Sequence, residues 1–249
     1  MDNIQNILKN RRTIRSYSDR DVDKDLLNDI LEMGCRASTT GNMQVYSVVV
    51  TRDSDKKKEL APCHFNQPMV TSASVVLTFC ADFNRFNKWC LAREAVPGYD
   101  NFLSFFTAAI DALLVAQTVC VAAEAAGLGI CYLGTTTYTA DKIIEVLGLP
   151  RGVVPVATIT LGWPVDESEQ VDRLPLDAVV HEEEYSDYTN EKIDILYREK
   201  EARSDSKLFI AENNKKTLAQ VFTDVRYTKK DNEHFSEVFL KVLKNQGFL

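Results

Sequence analysis

At 249 residues, with 45% hydrophobic and 26% charged side chains, the chain has the size and composition of one globular domain. Its net charge of −7 (29 Lys and Arg against 36 Asp and Glu) disfavours nucleic-acid partners, so a local basic cluster points to a specific anion site. Six scattered cysteines without CxxC spacing and only three histidines argue against structural zinc and fit reduced thiols in a cytoplasmic protein.

The N-terminal residues MDNIQNIL lack the basic and apolar regions of a signal peptide, and residues 3–10 are expected to form a short helix with Ile4, Ile7 and Leu8 on one face. The stretch Arg11-Arg12-Thr13-Ile14-Arg15-Ser16 follows. Asp23 is positioned to cap a helix from Lys24 to about Met33, which Gly34 closes. A polar loop at 38–42, Ser-Thr-Thr-Gly-Asn, leads into a valine-rich strand over Gln44–Thr51. A helix is expected at Lys56–Ala61 and a buried strand at Ala73–Ala81, and the stretch after Arg85 is less regular.

Phe105–Ala126 is the longest expected helix. It is apolar on nearly every face and is therefore expected to be buried on nearly every face. Asp111, Gln117 and Glu124 along its length argue against a membrane span. Gly127 and Gly129 are expected to end it, and Ile130–Leu133 is short and extended, running into the loop Gly134–Thr137. Thr139 is expected to cap a helix ending at Leu147-Gly148, and Val153–Leu161 forms a further strand turned by Gly162-Trp163-Pro164. From about Asp166 the composition shifts, and residues 181–207 are heavily charged, with a helix starting at Thr189 and Asn190 and helical spacing of apolar residues over Glu233–Lys244. Strands separated by helices make the chain mixed in class.

There is no GxGxxG after a strand, no phosphate-binding GxxxxGK[ST], no HExxH and no GxSxG. His181 precedes three glutamates and reads as solvated, and His64 directly follows Cys63, a poor arrangement for a catalytic pair. With no nucleophile evident in the protein, a cofactor is expected to carry the chemistry. Arg11, Arg12 and Arg15 offer planar donor forks suited to phosphate, with the Thr13 hydroxyl between them. On spacing alone a solvated basic helix end is the better reading.

The segments NRRTIRSYSDRDV, CRASTTGNMQ, NQPMV, VVLTFCADFNR, ICYLGT, GLPRGVVPVATITLGWP and RLPLDAVVHEE occur in that order. Together, over about residues 3–185, they resemble the flavin-dependent nitroreductase family, in particular its oxygen-insensitive NADPH nitroreductases and NADPH–flavin oxidoreductases. The resemblance implies an α+β fold whose central mixed, mainly antiparallel sheet is flanked by helices. It implies one domain over 1–249 with a charged excursion at about 181–232, and an intertwined homodimer with FMN at the interface.

Carried over residue by residue, the resemblance implies that Arg11, Arg12, Thr13 and Arg15 grip the FMN phosphate and ribityl chain. Ser38, Thr39 and Thr40 would approach the flavin across the dimer, and Gln67 would hydrogen-bond its polar edge. Tyr132, Leu133, Gly134 and Thr135 would offer backbone N–H groups to the ring, and Arg173 would be a second phosphate cation. Val171 stands where the subgroup usually has a lysine, which shifts weight onto Arg11, Arg12 and Arg15.

The implied activity is NAD(P)H-dependent reduction of nitroaromatics, quinones or free flavin by a ping-pong route, NADPH favoured. Lys215 and Lys216, with Arg203 upstream, lie near where the subgroup recognises NADPH, although a solvated charged loop explains them better. An FMN-binding redox sensor or a specialised flavin dehydrogenase is the other reading of the same fold. Cys35, beside the 38–42 loop, is expected to be a buried structural thiol.

Overall fold

The computed structural model describes residues 4–166 and 168–249. In chain order the elements are α1 (Ile4–Asn10), α2 (Lys24–Gly34), β1 (Tyr46–Thr51), α3 (Ser54–Leu60), α4 (Met69–Ser72), β2 (Val75–Asp82), α5 (Asn84–Leu91) and α6 (Phe102–Ala125). They continue with β3 (Gly129–Leu133), α7 (Ala140–Leu147), β4 (Val153–Gly162), α8 (Asn190–Ala202), α9 (Ser204–Glu212), α10 (Leu218–Val221) and α11 (Lys229–Gln246). Asn3, included in the expected first helix, lies outside the described residues.

Local chemistry sets several of these boundaries. The Asp23 carboxylate accepts from the backbone N–H groups of Asp25 and Leu26, and Asp53 does the same for Asp55 and Lys56. Asp53 therefore starts α3 two residues before the helix expected at Lys56. Thr139 begins α7 without capping it; its hydroxyl instead donates to the carbonyl of Cys63. Gly129 does not end α6 but opens β3.

The chain divides into two compact units, one of residues up to 169 with 235–249 and one of residues 170–234. In the first, four strands form a sheet in the order β1-β2-β4-β3. Every described pairing is antiparallel, where a mixed sheet was expected. Tyr46 faces Ala81, Val75 faces Leu161 and Tyr132 faces Ile159. A central strand tolerates Pro155 because the register slips there: Phe79 pairs with Ala157 and Cys80 with Pro155.

All eight residues of β2 are buried, and the core unites this strand with Leu27 and Ile30 of α2 and Val115, Val119 and Ala123 of α6. The expectation that α6 is buried on nearly every face is corrected. One stripe of it is uncovered in the single chain: Leu103 is 71% exposed, and Phe106, Ile110, Leu113 and Leu114 share its fate. A helix lying on a sheet has only one side for the sheet to cover. Five of the six cysteines are buried, but Cys35, the residue that ends α2, is exposed rather than buried as expected.

In the second unit α8 is capped by Thr189, whose hydroxyl accepts from the Lys192 N–H. His181 is half-buried there rather than solvated. Its Nδ1 accepts from the Ser186 N–H at 3.2 Å and its Nε2 lies 3.1 Å from the Tyr188 hydroxyl.

Candidate functional site

The arginine stretch is not a frayed helix end. The Ile14 N–H donates to the carbonyl of Ile130 in β3 at 2.9 Å, and the Ser18 N–H donates to the Trp163 carbonyl at 2.9 Å. Ile14 and Tyr17 are buried beside Leu133 and Cys131, anchoring the segment from its inner face. The Tyr17 hydroxyl sits 2.9 Å from the Ile14 carbonyl and 2.8 Å from Thr160 Oγ1, and burial holds its phenol well above the ordinary range. Gly129 permits the close approach, since a Cβ there would fall 2.6 Å from the Ile14 side chain. With Ile14 and Tyr17 turned inward, Arg15 is exposed while Arg11, Arg12 and Thr13 are half-buried.

Each arginine has a distinct setting. The Arg12 guanidinium donates to the Ser168 carbonyl at 3.1 Å, and the Ser168 hydroxyl donates back to the Thr13 carbonyl at 2.6 Å. Burial pushes the Cys131 thiol up, against the pull of Arg15 and Arg11. Arg11 Nε lies 3.6 Å from Glu124 Oε1 of α6. Burial raises the Glu124 carboxyl pKa despite that cation. Asn10, Arg11, Arg12, Glu124 and Asp166 are among the residues lining a cleft of about 230 Å³. Arg11 thus faces a carboxylate that the sequence did not indicate.

β3 carries the chain from Ile130 to the loop at Gly134 and Thr135. The Tyr132 side chain packs on the core with its hydroxyl at the Cys120 thiol, and burial pushes its phenol far up. Leu133 is buried as well. Leu133 thus turns its side chain inward, and Tyr132 is half-buried at the end of the strand. Thr135 Oγ1 lies 2.8 Å from Nδ1 of His64, which is wholly buried. That bond ties the Gly134–Thr135 loop to the segment carrying Gln67, whose N–H donates to the His64 carbonyl at 3.1 Å. Phe65 and Asn66, between His64 and Gln67, hold left-handed φ values of 54° and 55°. For a bulky residue such as Phe65 this is a strained state of the sort concentrated at functional sites. Sequence reasoning missed His64, because its partner is 71 residues away.

The 38–42 loop is held from beneath by Asp111 of α6. That carboxylate is 1% exposed and accepts from the Thr40 N–H at 3.0 Å and the Thr40 hydroxyl at 3.2 Å. Ser38 and Thr40 are exposed and Thr39 half-buried. Within the second unit, the Arg173 guanidinium donates to the Asp172 carbonyl at 2.8 Å, and Lys200 pairs with the Asp172 carboxylate at 2.9 Å. Lys215 pairs with Asp224 and Arg203 with Asp205, each at 3.0 Å. Val171 is exposed.

Residues 8–163 match the family model described as the Nitroreductase family. The chain belongs to the nitroreductase family. It is 35% identical over 195 residues to an FMN reductase (NADPH) of Bacillus subtilis, covering 77% of this chain and 78% of that protein. A crystal structure of a Bacteroides fragilis protein superposes with a TM-score of 0.97 at 62% identity, over 98% of this chain and 99% of that one. The NADPH:FMN oxidoreductase of Vibrio harveyi, complexed with NAD+, superposes with a TM-score of 0.80 at 26% identity over 99% of each chain. The nitroreductase-like α+β fold is thus established, and the chain is an oxidoreductase of the NAD(P)H-dependent flavin reductase and nitroreductase type.

FMN is the cofactor that nitroreductase-family membership implies, and the residues of the first unit fit it. Arg12, Arg15 and the Thr13 hydroxyl supply donors suited to a phosphate and a polyol chain. Gln67, half-exposed, offers a side-chain amide. Gly134 is exposed, and a Cβ there would meet no protein atom within 4 Å, so the chain's own packing does not require glycine at this position. Its missing Cβ leaves loop backbone open to a flat ring.

Proposed function

We propose that the chain binds FMN, takes reducing equivalents from NAD(P)H with NADPH preferred, and delivers them to nitroaromatics, quinones or free flavin in a ping-pong cycle. One observation carries this reading: the 2.9 Å bond from the Ile14 N–H to the Ile130 carbonyl, which sets the arginine stretch on the strand that runs directly to Gly134 and Thr135. Anion-binding side chains and a ring-facing loop are thereby held on one rigid support, as a phosphorylated planar cofactor needs.

FMN, when bound, supplies hydride acceptance from the nicotinamide and onward transfer to the acceptor. The protein's part is orientation and electrostatics. Arg12, Arg15 and Thr13 hold the phosphate and ribityl end, with Arg11 modulated by Glu124 and Arg173 serving as a further cation. Gln67 and the backbone at 132–135 hold the ring. Ser38, Thr39 and Thr40 complete the site from the other subunit of a homodimer. The uncovered apolar stripe of α6 supports that assembly, because an exposed row of Leu103, Phe106, Ile110 and Leu113 at helical spacing is suited to self-association. Lys215 and Lys216 are the candidates for recognising the extra phosphate of NADPH.

The test is stopped-flow reduction of the FMN-loaded protein by NADPH and by NADH, followed by addition of a nitroaromatic. We expect rapid bleaching of the flavin band, faster with NADPH, and recovery of colour with the acceptor. A colourless protein that retains no added FMN overturns the reading, and flavin retention with negligible bleaching assigns the chain to redox sensing.

A further inference from the structure

We propose that His64 is a positioning residue that fixes the Thr135 hydroxyl as an outward hydrogen-bond donor to the flavin ring; this rests on the FMN reading above. His64 is completely buried, and its Nδ1 lies 2.8 Å from Thr135 Oγ1. Its Nε2 is buried with no hydrogen-bond partner among the described residues. Burial keeps the ring neutral, pushing its pKa down from 6.5 to about 4.

A neutral imidazole carries one N–H, and the two tautomers differ in what they leave inside the protein. With the proton on Nε2, an N–H is orphaned in the core. With the proton on Nδ1, the N–H donates to Thr135 Oγ1 and only a lone pair at Nε2 goes unmatched. Orphaned buried N–H groups are the rarer of the two, so the Nδ1–H form is the stable one. Thr135 Oγ1 is then an acceptor toward His64 and retains its own hydrogen to donate elsewhere.

The loop gives that hydrogen little use internally. Among the described residues Thr135 Oγ1 bonds to no side chain or carbonyl other than His64, and the Thr135 carbonyl is engaged by the Tyr138 N–H at 3.0 Å. Thr135 is half-buried and follows the exposed Gly134, on the loop read as facing the ring. Three further contacts brace the arrangement. The Thr139 hydroxyl donates to the Cys63 carbonyl, and the Phe235 ring meets Phe65 at 6.2 Å and stacks on Tyr138 at 4.4 Å. His64 therefore couples the direction of one hydroxyl to the placement of Gln67.

The experiment combines FMN titration, the visible spectrum of bound FMN and 15N NMR of the imidazoles, which are only three in this chain. We expect the His64 Nδ1–H tautomer with and without FMN. Thr135→Val should weaken FMN binding by about tenfold, the scale of one hydrogen bond, and shift the flavin band, while Thr135→Ser should restore both. His64→Asn places an amide N–H where Nδ1–H stood and should retain affinity, whereas His64→Gln, which mimics Nε2, should behave like Thr135→Val. Thermal melts identify any variant that fails to fold. An Nε2–H tautomer, or Thr135→Val with wild-type affinity and spectrum, overturns the proposal while leaving the FMN reading intact. Wild-type protein that binds no FMN overturns that reading instead.

Discussion

Thr40 and Asp111 are joined twice over: the Thr40 N–H donates to both carboxylate oxygens, at 3.0 and 3.2 Å, and its hydroxyl donates to the same group at 3.2 Å. A buried carboxylate in an otherwise apolar helix is tolerable only when donors satisfy it, and here a polar loop supplies them. Asp111→Ala should therefore cost about 2 kcal/mol, the scale of losing hydrogen bonds to a charged group. Urea unfolding measures this, and FMN titration of the same variant should show weaker binding as the 38–42 loop loosens. Unchanged stability would mean that the loop holds its shape without Asp111.

The arginine stretch yields a second prediction. Its fold rests on Ile14 and Tyr17, which are buried, while Arg15 is exposed. Arg15→Ala and Arg12→Ala should each lower FMN affinity about tenfold or more, the scale of a charge-assisted hydrogen bond, with Arg12→Ala also losing its bond to the Ser168 carbonyl. Thermal melts of the FMN-free proteins should differ little for Arg15→Ala. Equal FMN affinity in both variants and the wild type would remove these residues from the phosphate site. Glu124→Gln should act in the opposite direction, since it relieves the competition for Arg11 that the 3.6 Å pair represents.

What was legible in the sequence was local. Asp23 and Thr189 cap their helices through bonds to residues two or three positions on, so pattern alone locates them. The helix at Asn84–Leu91 is not legible in the sequence because only Cys90 in it is buried, leaving almost no apolar period to read. The partners of Asp111, His64 and Arg11 lie 71 or more residues away in sequence, and no spacing rule reaches that far. Cys35 looked like its five buried counterparts because a cysteine's exposure depends on what the fold sets beside it. α6 failed in an instructive way: a helix apolar all round carries no moment to say which face the sheet will cover.

That uncovered face gives a third prediction. Ile110 and Leu114 are each more than 40% exposed, on the same stripe as Phe106. Covering the part of such side chains that is still exposed is worth about 1 kcal/mol each, and in a twofold assembly every one counts twice. Sedimentation velocity should find wild-type protein at twice the chain mass, and Ile110→Glu with Leu114→Glu should halve it. If Ser38, Thr39 and Thr40 serve the partner's site, the same double variant loses FMN. A wild-type monomer that binds FMN tightly would contradict the shared site.

His64 also sets a pH dependence whose sign follows from its burial. In the unfolded chain the imidazole takes up a proton near pH 6.5, and in the folded chain only near about 4. Above pH 6.5 both states are neutral and the residue adds no slope. As the pH falls from 6.5 toward 4, the unfolded chain binds a proton that the folded chain refuses, so stability is lost, by about 3 kcal/mol in all at 1.36 kcal/mol per unit. Below about 4 the loss levels off. Glu124 acts with the other sign: burial raises its pKa, so the folded chain holds that proton more tightly and the group favours folding on acidification. Comparing wild type with His64→Asn cancels Glu124 and every other common group, because only the imidazole is removed. The difference between the two urea-derived stabilities should be flat above pH 7 and should move in favour of His64→Asn on acidification to pH 4.5. A difference that stays constant over that range would mean the imidazole titrates alike in both states, and so is not sealed from solvent beneath the Thr135 loop.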